Sequence, residues 1–244
     1  RRFGRSKYNL SRVPRVLLDL MTVTFLSGYR TRPMQLFGLF GLTSIGVGGL
    51  VGAYLILVVV SVLGLHPFLA AFVAAPAMFI FGWVLQKAVL NRTLGDDILP
   101  PLLVTFGLSI VVQNGLLEAF SADSQRISMG ALETASVSLG PISAGVLPLL
   151  TFASAILVIV ALNQLFYRTA IGRAFRATSD DPVTASLMGI RPDRVFASAT
   201  AIAMLVVTIA ALYLGTRANF DPNVGPARLI YAFEAVIIGG LGSL

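Results

Sequence analysis

Few side chains in this sequence could perform chemistry, and they do not form a recognisable catalytic set. Two adjacent acidic pairs occur, Asp96-Asp97 and Asp180-Asp181, but neighbouring side chains in a helix or turn point apart, so neither pair is expected to hold one metal ion. Cysteine is absent and His66 is the single histidine, which argues against thiolate chemistry and against a histidine-rich metal site. The sequence also contains no GxxxxGK[ST] phosphate-binding loop. We therefore expect a protein that is not an enzyme, has no metal or cofactor of its own and does not itself hydrolyse ATP.

Polar side chains within an otherwise apolar segment are the next candidates. They are Thr105, Ser109, Gln113, Asn114 and Glu118. Polar groups at the depth of a membrane usually face a protein interior or a water-filled cavity. These residues either form hydrogen bonds between helices or line a path for a solute, and Glu118 is also close enough to the segment's end to lie at the membrane surface. Glu234, in the last apolar segment, lies either near the headgroups or turned inward.

The composition requires these side chains to be carried by membrane-spanning helices. Apolar residues make up 56% of the 244 residues, charged residues only 12%, and the mean hydropathy is +0.86. A soluble domain of this length does not show such values. We predict an all-α polytopic membrane protein with about six transmembrane helices and a cytoplasmic N-terminus. The predicted spans are residues 34–63, 68–90, 99–120, 146–167, 195–214 and 229–244.

The basic residues indicate which side faces the cytoplasm. The chain has 18 Lys and Arg, 11 Asp and Glu, and a net charge of +7. With the N-terminus inside, only Arg126, Arg217 and Arg228 fall outside, and such a bias is typical of membrane proteins. The positive charge is therefore assigned to the inner surface of the lipid bilayer and not to nucleic acid. Residues 121–145 would then lie outside, with a short hairpin around VSLGPI.

A polar segment between two apolar spans, residues 168–194, reads RTAIGRAFRATSDDPVTASLMGIRPDR and carries five arginines and three aspartates. Its arginine excess predicts a cytoplasmic location. Residues 179–181 are helix-starting types, Pro182 suits a first helical position, and Gly189 is expected to end the helix. The segment should therefore contain a short amphipathic helix.

The spacing within this helix predicts which residues face outward. Ala185 and Met188 are expected to share one face with Asp181. Small residues just upstream, including Gly172, would leave shallow surfaces next to that face. Such a surface can dock into a groove on another protein, and the alternative is a capped connector between two spans.

The run GRAFRATSDDPVTASLMGI resembles the cytoplasmic coupling loop of bacterial branched-chain amino acid ABC transporter permeases of the LivH type, and the resemblance extends over about residues 52–244. It implies contact with ATPase subunits at nine positions. They are Gly172, Arg173, Ala174, Arg176, Ala177, Asp180, Asp181, Ala185 and Gly189.

The resemblance also implies a set of partners and a location. The partners are two ATP-binding subunits that bind the ATP, a second permease subunit in a heterodimer and a periplasmic solute-binding protein. The chain would be a multi-pass protein of the bacterial inner membrane that translocates branched-chain or other hydrophobic amino acids. The residues alone leave the substrate open among aliphatic amino acids, amides and urea-like solutes.

The opening of the chain resembles a different family. Residues 1–33 form a basic, amphipathic juxtamembrane segment, and the run GRSKYNLSRVPRVLLDLMTVTFLSGYRTRPMQLFG is similar to the segment that joins the catalytic domain of family 2 polyprenyl-phosphate glycosyltransferases to their membrane anchor. The alternative function is therefore a glycosyltransferase membrane anchor. A third reading, an ion channel or proton-coupled carrier, is disfavoured because buried charge pairs are absent from the pattern.

The two resemblances meet near residues 51–55, and the Asn-Phe-Ala-His-Gly signature of the permeases' early helices is missing upstream of that point. This combination favours a chimera, a fragment or a misjoined reading frame. In the family, the glycine-rich run that ends this sequence is followed by a further helix or two, so the permease domain, residues 34–244, is expected to be truncated at its C-terminus.

Overall fold

The structure is a computed structural model that describes the backbone of residues 33–93, 99–139 and 142–223, with side chains from residue 48 onward except next to the gaps. Several predictions therefore lie outside the described residues. They concern residues 1–32 of the amphipathic segment, the Asp96-Asp97 pair, and the sixth span with Glu234.

Long helices dominate the described chain, and their bounds follow the apolar segments of the sequence. The helices are α1 (Pro33–Leu63), α2 (Pro67–Ala88), α3 (Leu99–Phe120), α4 (Ala131–Thr134), α5 (Val146–Arg168), α6 (Ala170–Asp180), α7 (Pro182–Leu187) and α8 (Pro192–Arg217), with a 3-10 turn at Leu90–Arg92. An antiparallel hairpin joins β1 (Ser136–Leu139) to β2 (Ile142–Gly145), as the VSLGPI motif predicted.

Four of the described helical stretches are long and apolar enough to cross a membrane. They are Pro67–Arg92, Leu103–Phe120, Val146–Arg168 and Pro192–Arg217. Helix α1 has 31 residues, or about 46 Å at 1.5 Å per residue, which exceeds the roughly 30 Å of a bilayer's hydrocarbon core. The predicted class, an all-α multi-pass membrane protein, is thus confirmed.

Helices α1, α2 and α8 form the most closely packed part of the bundle, and glycines make the close approach possible. A Cβ at Gly52 would lie 3.5 Å from the Cα of Thr208 on α8. A Cβ at Gly82 would lie only 3.0 Å from the carbonyl oxygen of Thr200 and 3.1 Å from the Cα of Ala201. Small residues at helix contacts are how membrane helices gain packing energy, because lipid supplies no hydrophobic drive between them.

The helices define two ends of the molecule. The hairpin end contains the α1–α2 turn, the hairpin and the end of α8, whereas the arginine-rich end contains the 3-10 turn and residues 168–194. Described basic residues of the arginine-rich end are Lys87, Arg92, Arg168, Arg173, Arg176, Arg191 and Arg194, and those of the hairpin end are Arg126 and Arg217.

At the hairpin end, the loop that follows α3 is tied to the end of α8. Gln125 and Phe220 exchange two backbone hydrogen bonds of 2.8 and 2.9 Å. The Ile127 N–H donates to the Gly215 carbonyl at 2.9 Å, and Arg126 Nε donates to the Thr216 carbonyl at 3.2 Å. The donors from Ile127 and Arg126 satisfy carbonyls that the last turn of α8 leaves without intrahelical partners.

Candidate functional site

The 168–194 segment is folded, and its first helix, α6, is fixed directly to the end of α5. Thr169 is the N-cap of α6, and its hydroxyl accepts from the Gly172 N–H at 3.1 Å while donating to the Leu165 carbonyl at 2.6 Å. A Cβ at Gly172 would overlap the carbonyl oxygens of Leu165 and Phe166. Glycine is therefore required where α6 turns back onto α5.

Side chains of α6 strengthen the same junction. The buried Phe175 ring packs against the Phe166 ring, with the two ring centres 5.4 Å apart. Arg176 donates to the Phe166 carbonyl at 2.6 Å and places its guanidinium 5.3 Å from the centre of the Tyr167 ring. The arginine thus caps a carbonyl at the C-terminal end of α5, where positive charge is favoured. As a result, α6 is positioned by α5.

Helix α7 begins where the sequence indicates and ends one residue earlier than expected. Asp181 is its N-cap, with one carboxylate oxygen accepting from the backbone N–H groups of Val183 at 2.9 Å and Thr184 at 3.1 Å. Pro182 occupies the first turn, and Gly189 follows the helix with φ of +82°. A positive φ favours glycine because the conformation crowds a Cβ.

The electrostatics of the cap favour a charged Asp181. The hydrogen bond from the Thr184 hydroxyl, at 2.5 Å, is the largest cause that lowers the pKa of the Asp181 carboxyl below 3.8, and the backbone N–H groups of Thr184 and Val183 lower that pKa further. The carboxylate form is therefore the one that caps α7 at neutral pH.

Two predictions about this segment are wrong. Ser179 and Asp180 do not start α7 but close the last turn of α6, so only Asp181 has the capping role. Ala185 and Met188 do not share a face, because Ala185 is only 4% exposed whereas Met188 is 79% exposed. Helix α7 ends at Leu187, so Met188 leaves the helical register that the sequence pattern assumed.

The outward face of α7 is apolar, and the sequence reasoning missed most of it. Val183 is 69% exposed and Leu187 is 81% exposed, next to Met188. Val183 and Leu187 lie four residues apart, so they sit on one side of the helix. That spacing was visible in the sequence as apolar residues within a polar segment. We call Val183, Leu187 and Met188 the α7 apolar patch.

The nine positions assigned to partner contact differ in accessibility. Arg173, Arg176, Asp180, Asp181 and Gly189 are exposed, Ala174 and Ala177 are half-buried, and Gly172 and Ala185 are buried. The two buried positions have roles inside the chain: Gly172 permits the α5–α6 turn, and the Ala185 carbonyl accepts from the Ile190 N–H at 3.1 Å after α7 ends.

The structure divides the polar residues of α3 between two sides of the helix. Thr105 is buried, and Ser109 and Gln113 are half-buried on the same side at spacings of four residues. The Gln113 amide donates to Asn223 Oδ1 at 2.9 Å. The other two residues, Asn114 and Glu118, are exposed, and the Asn114 amide donates back to the Ile110 carbonyl at 2.8 Å.

Comparison with known families identifies the chain. Residues 34–244 match the model of a family described as the permease component of branched-chain amino acid transport systems. The chain belongs to this family. The permease is therefore a multi-pass membrane protein and not an enzyme. The match begins upstream of residue 52, so the segment 34–51 belongs with the permease although its early-helix signature is missing.

Several curated relatives are similar to the permease over most of its length. The BraD permease protein of a high-affinity branched-chain amino acid transport system in Pseudomonas aeruginosa is 27% identical over 226 residues, covering 86% of this chain and 73% of that protein. The LivH permease protein of the corresponding Escherichia coli K12 system is 29% identical, covering 72% of this chain and 58% of LivH.

Over a shorter stretch, the permease is also similar to a permease named for a different solute. The autoinducer 2 import system permease LsrC of Yersinia enterocolitica is 33% identical over 89 residues, which cover 36% of this chain and 25% of LsrC. No solved structure matches the permease.

Proposed function

We propose that the permease is the membrane-spanning subunit of an ABC importer that translocates branched-chain or other hydrophobic amino acids across the bacterial inner membrane. Two separate ATP-binding subunits supply the energy and dock at the arginine-rich end. A second permease subunit completes a heterodimer, and a periplasmic solute-binding protein delivers the solute at the hairpin end. The family match and the names of BraD and LivH support the transport class and the cargo.

The α7 apolar patch is the observation that carries the docking assignment. Its three side chains are more than two-thirds exposed in a segment whose polar composition places it in water. Exposed apolar side chains grouped on a short helix and the residue that follows it, within a charged segment, are typical of a protein interaction site. Exposed charged residues of the same segment include Arg173, Asp180 and Arg191.

The way the segment is anchored makes it suitable for transmitting force. A flexible loop would bend when a partner moves and would not transmit that movement. Helix α6, in contrast, is held to α5 by the packing at Gly172 and by the Arg176 hydrogen bond to a backbone carbonyl. At its other end the segment leads directly into α8, which begins at Pro192. Movement of α7 therefore reaches two spans at once.

The charge distribution supports a cytoplasmic position for this segment. Seven described Lys and Arg residues belong to the arginine-rich end and two to the hairpin end. Cytoplasmic segments near membrane spans carry the excess of Lys and Arg. The hairpin end then faces the periplasm, where a solute-binding protein would meet the permease.

The polar residues of α3 are the proposed contribution to the solute path. Thr105, Ser109 and Gln113 form one half-buried to buried row along the helix. Asn114 and Glu118 lie on the opposite, exposed side, so in the assembled transporter they would contact the path only if it runs between α3 and the second permease subunit.

Copurification of ATP-binding subunits tests the docking assignment. Leu187→Glu places a charge where an 81% exposed leucine would be buried by a partner. Burying a leucine side chain is worth about 1.5–3 kcal/mol, so we expect affinity for the ATP-binding subunits to fall by about tenfold or more. Expression of the permease in the membrane should not change.

Val137→Glu is the matched control. Val137 is also an exposed apolar residue, at 44%, but it lies in β1 at the hairpin end. This variant should bind the ATP-binding subunits as the unchanged permease does. Equal binding by Leu187→Glu and Val137→Glu would remove the docking assignment.

A further inference from the structure

A chain of hydrogen-bonded side chains connects α2 to the beginning of α8. The Thr200 hydroxyl donates to Gln86 Oε1 at 2.7 Å, and Gln86 Nε2 donates to Asn91 Oδ1 at 3.0 Å. Asn91 Nδ2 then donates to the backbone carbonyl of Asp193 at 3.0 Å. Gln86 is 1% exposed and Thr200 is 6% exposed, so the bond between them is buried, whereas the bonds of Asn91 lie nearer the surface.

Close packing of the two helices makes the connection possible. Gly82 lies one turn before Gln86 on α2, and the missing side chain brings α2 against the backbone of α8 at Thr200 and Ala201. A glutamine is then long enough to reach Thr200 from within α2. The same glutamine reaches Asn91 in the 3-10 turn, because α2 ends only a few residues later.

The Asp193 carbonyl at one end of this connection fixes the donor and acceptor of each of its hydrogen bonds. The Asp193 carbonyl can only accept, so Asn91 must present its NH₂ group to it and its oxygen to Gln86. Gln86 must then donate through Nε2, which leaves Oε1 facing Thr200 and makes the Thr200 hydroxyl the donor. Rotation of either amide by 180° would place two acceptors against each other.

We infer that Gln86 and Asn91 are positioning residues of the transport cycle, which set the start of α8 against the end of α2. The inference rests on the proposed function, because it gives these residues a role in passing the movement of residues 168–194 into the bundle. The first residues of α8 directly follow that segment. With the connection intact, α2 and α8 move as one body when α7 is pushed. Without the connection, the start of α8 moves without α2.

The energetics favour a rigid connection. A buried amide that loses its partners keeps the full cost of its desolvation. Separation of α8 from α2 would strand the Gln86 amide in this way. The connection therefore adds a cost to the separation of the two helices.

Thr200→Val and Thr200→Ser form a matched pair that tests this role. Valine keeps the branched shape and removes the donor, whereas serine keeps the hydroxyl. We expect Thr200→Val to lower the number of solute molecules taken up per ATP hydrolysed by about fivefold in the reconstituted importer, because one buried hydrogen bond is lost. Thr200→Ser should retain the ratio of the unchanged protein. A merely structural role would lower the amount of folded importer without changing this ratio.

Gln86→Met and Asn91→Ala extend the test if Thr200→Val fails to accumulate. Gln86→Met removes both amide contacts at similar volume, and Asn91→Ala removes the contact at the half-buried turn. Either variant should show the same loss of coupling. An unchanged uptake-to-hydrolysis ratio in Thr200→Val, or in either of these variants, overturns the inference.

A distance measurement separates this inference from the proposed function. Because the sequence contains no cysteine, spin labels can be placed at the exposed positions of Arg92→Cys and Arg194→Cys on the permease alone. Pulsed electron paramagnetic resonance should give one narrow distance distribution, and Thr200→Val should broaden it. If no uptake occurs with the unchanged protein, the proposed function fails, while an unbroadened distribution in Thr200→Val rejects the positioning role.

Discussion

Replacement of Gly172 by alanine tests whether the α5–α6 junction holds the 168–194 segment in place. The added Cβ would overlap the carbonyl oxygens of Leu165 and Phe166 and would lie 2.5 Å from the Phe166 carbonyl carbon. These are backbone atoms of the last turns of α5, so they cannot move aside as the tip of a flexible side chain can. Helix α6 must therefore shift away from α5.

The magnitude follows from three contributions. Forcing a methyl group into a filled contact costs about 1–3 kcal/mol. The shift also weakens the Arg176 hydrogen bond to the Phe166 carbonyl, worth about 1 kcal/mol, while alanine regains about 1 kcal/mol of helix propensity over glycine. The last two nearly cancel. A net cost of about 2 kcal/mol raises the population of detached α6 by about thirtyfold.

Trypsin provides the assay, because α6 carries Arg173 and Arg176. When opening is fast relative to cleavage, the cleavage rate follows the population of the opened segment. Gly172→Ala in lipid nanodiscs should therefore be cut about thirtyfold faster than the unchanged protein. Gly107→Ala in α3 is the control, since its Cβ would have nothing within 4 Å. Equal cleavage rates for both alanine variants and the unchanged protein would refute the close packing at Gly172.

Two further predictions concern the cap of α7 and the orientation of the chain. The folded-state pKa of Asp181 is lowered from 3.8, so the stability that its carboxylate cap gives to helix α7 is present above pH 3.8 and is lost as the pH falls through the lowered pKa. The Thr184 amide resonance should show this titration. Asp181→Asn should abolish the titration while keeping the cap. Ser186→Cys in the otherwise cysteine-free chain should react with a membrane-impermeant thiol reagent only from the cytoplasmic side, and Ser124→Cys only from the periplasmic side. The reverse pattern would contradict the docking of ATP-binding subunits on α7.

Local signals made parts of the arginine-rich end predictable. Asp181, Pro182 and Gly189 have preferences that arise from their own backbone and side-chain chemistry. Asp181 and Pro182 occupy the predicted start of α7, and Gly189 follows its end. The spans were similarly predictable, since an apolar run long enough to cross a bilayer has few alternatives to a helix. The bounds of α3, Leu99–Phe120, coincide with the predicted span.

The misassigned residues depended on contacts with distant parts of the chain. Ser179 is a good helix-starting residue in isolation, but α6 continues through it because Phe175 and Thr178 are buried and Gly172 packs on α5. Ala185 is buried because of where α7 lies on its neighbours, and a six-residue helix is too short for its sequence pattern to determine that orientation.

The polar connection through Gln86 was likewise not predictable from local sequence. The sequence displays a glutamine near the end of an apolar span and a threonine more than a hundred positions later, and neither spacing nor residue type indicates that they meet. Their meeting depends on Gly82 and on the packing of α2 against α8. Likewise, the side of α3 that faces the bundle follows from packing, and this separates Thr105 from Glu118.

The closure of the hairpin end constrains the order in which the chain can mature during synthesis. Arg126 and the Thr216 carbonyl are 90 positions apart, so the ribosome must translate α5 through α8 before the loop that follows α3 acquires its partners. Until then the partner of Arg126 among the described residues is Glu133 of its own loop, at 2.9 Å. Nascent chains that stop before α8 would therefore lack these partners at the hairpin end, and membrane quality-control proteases could recognise the unpaired loop there.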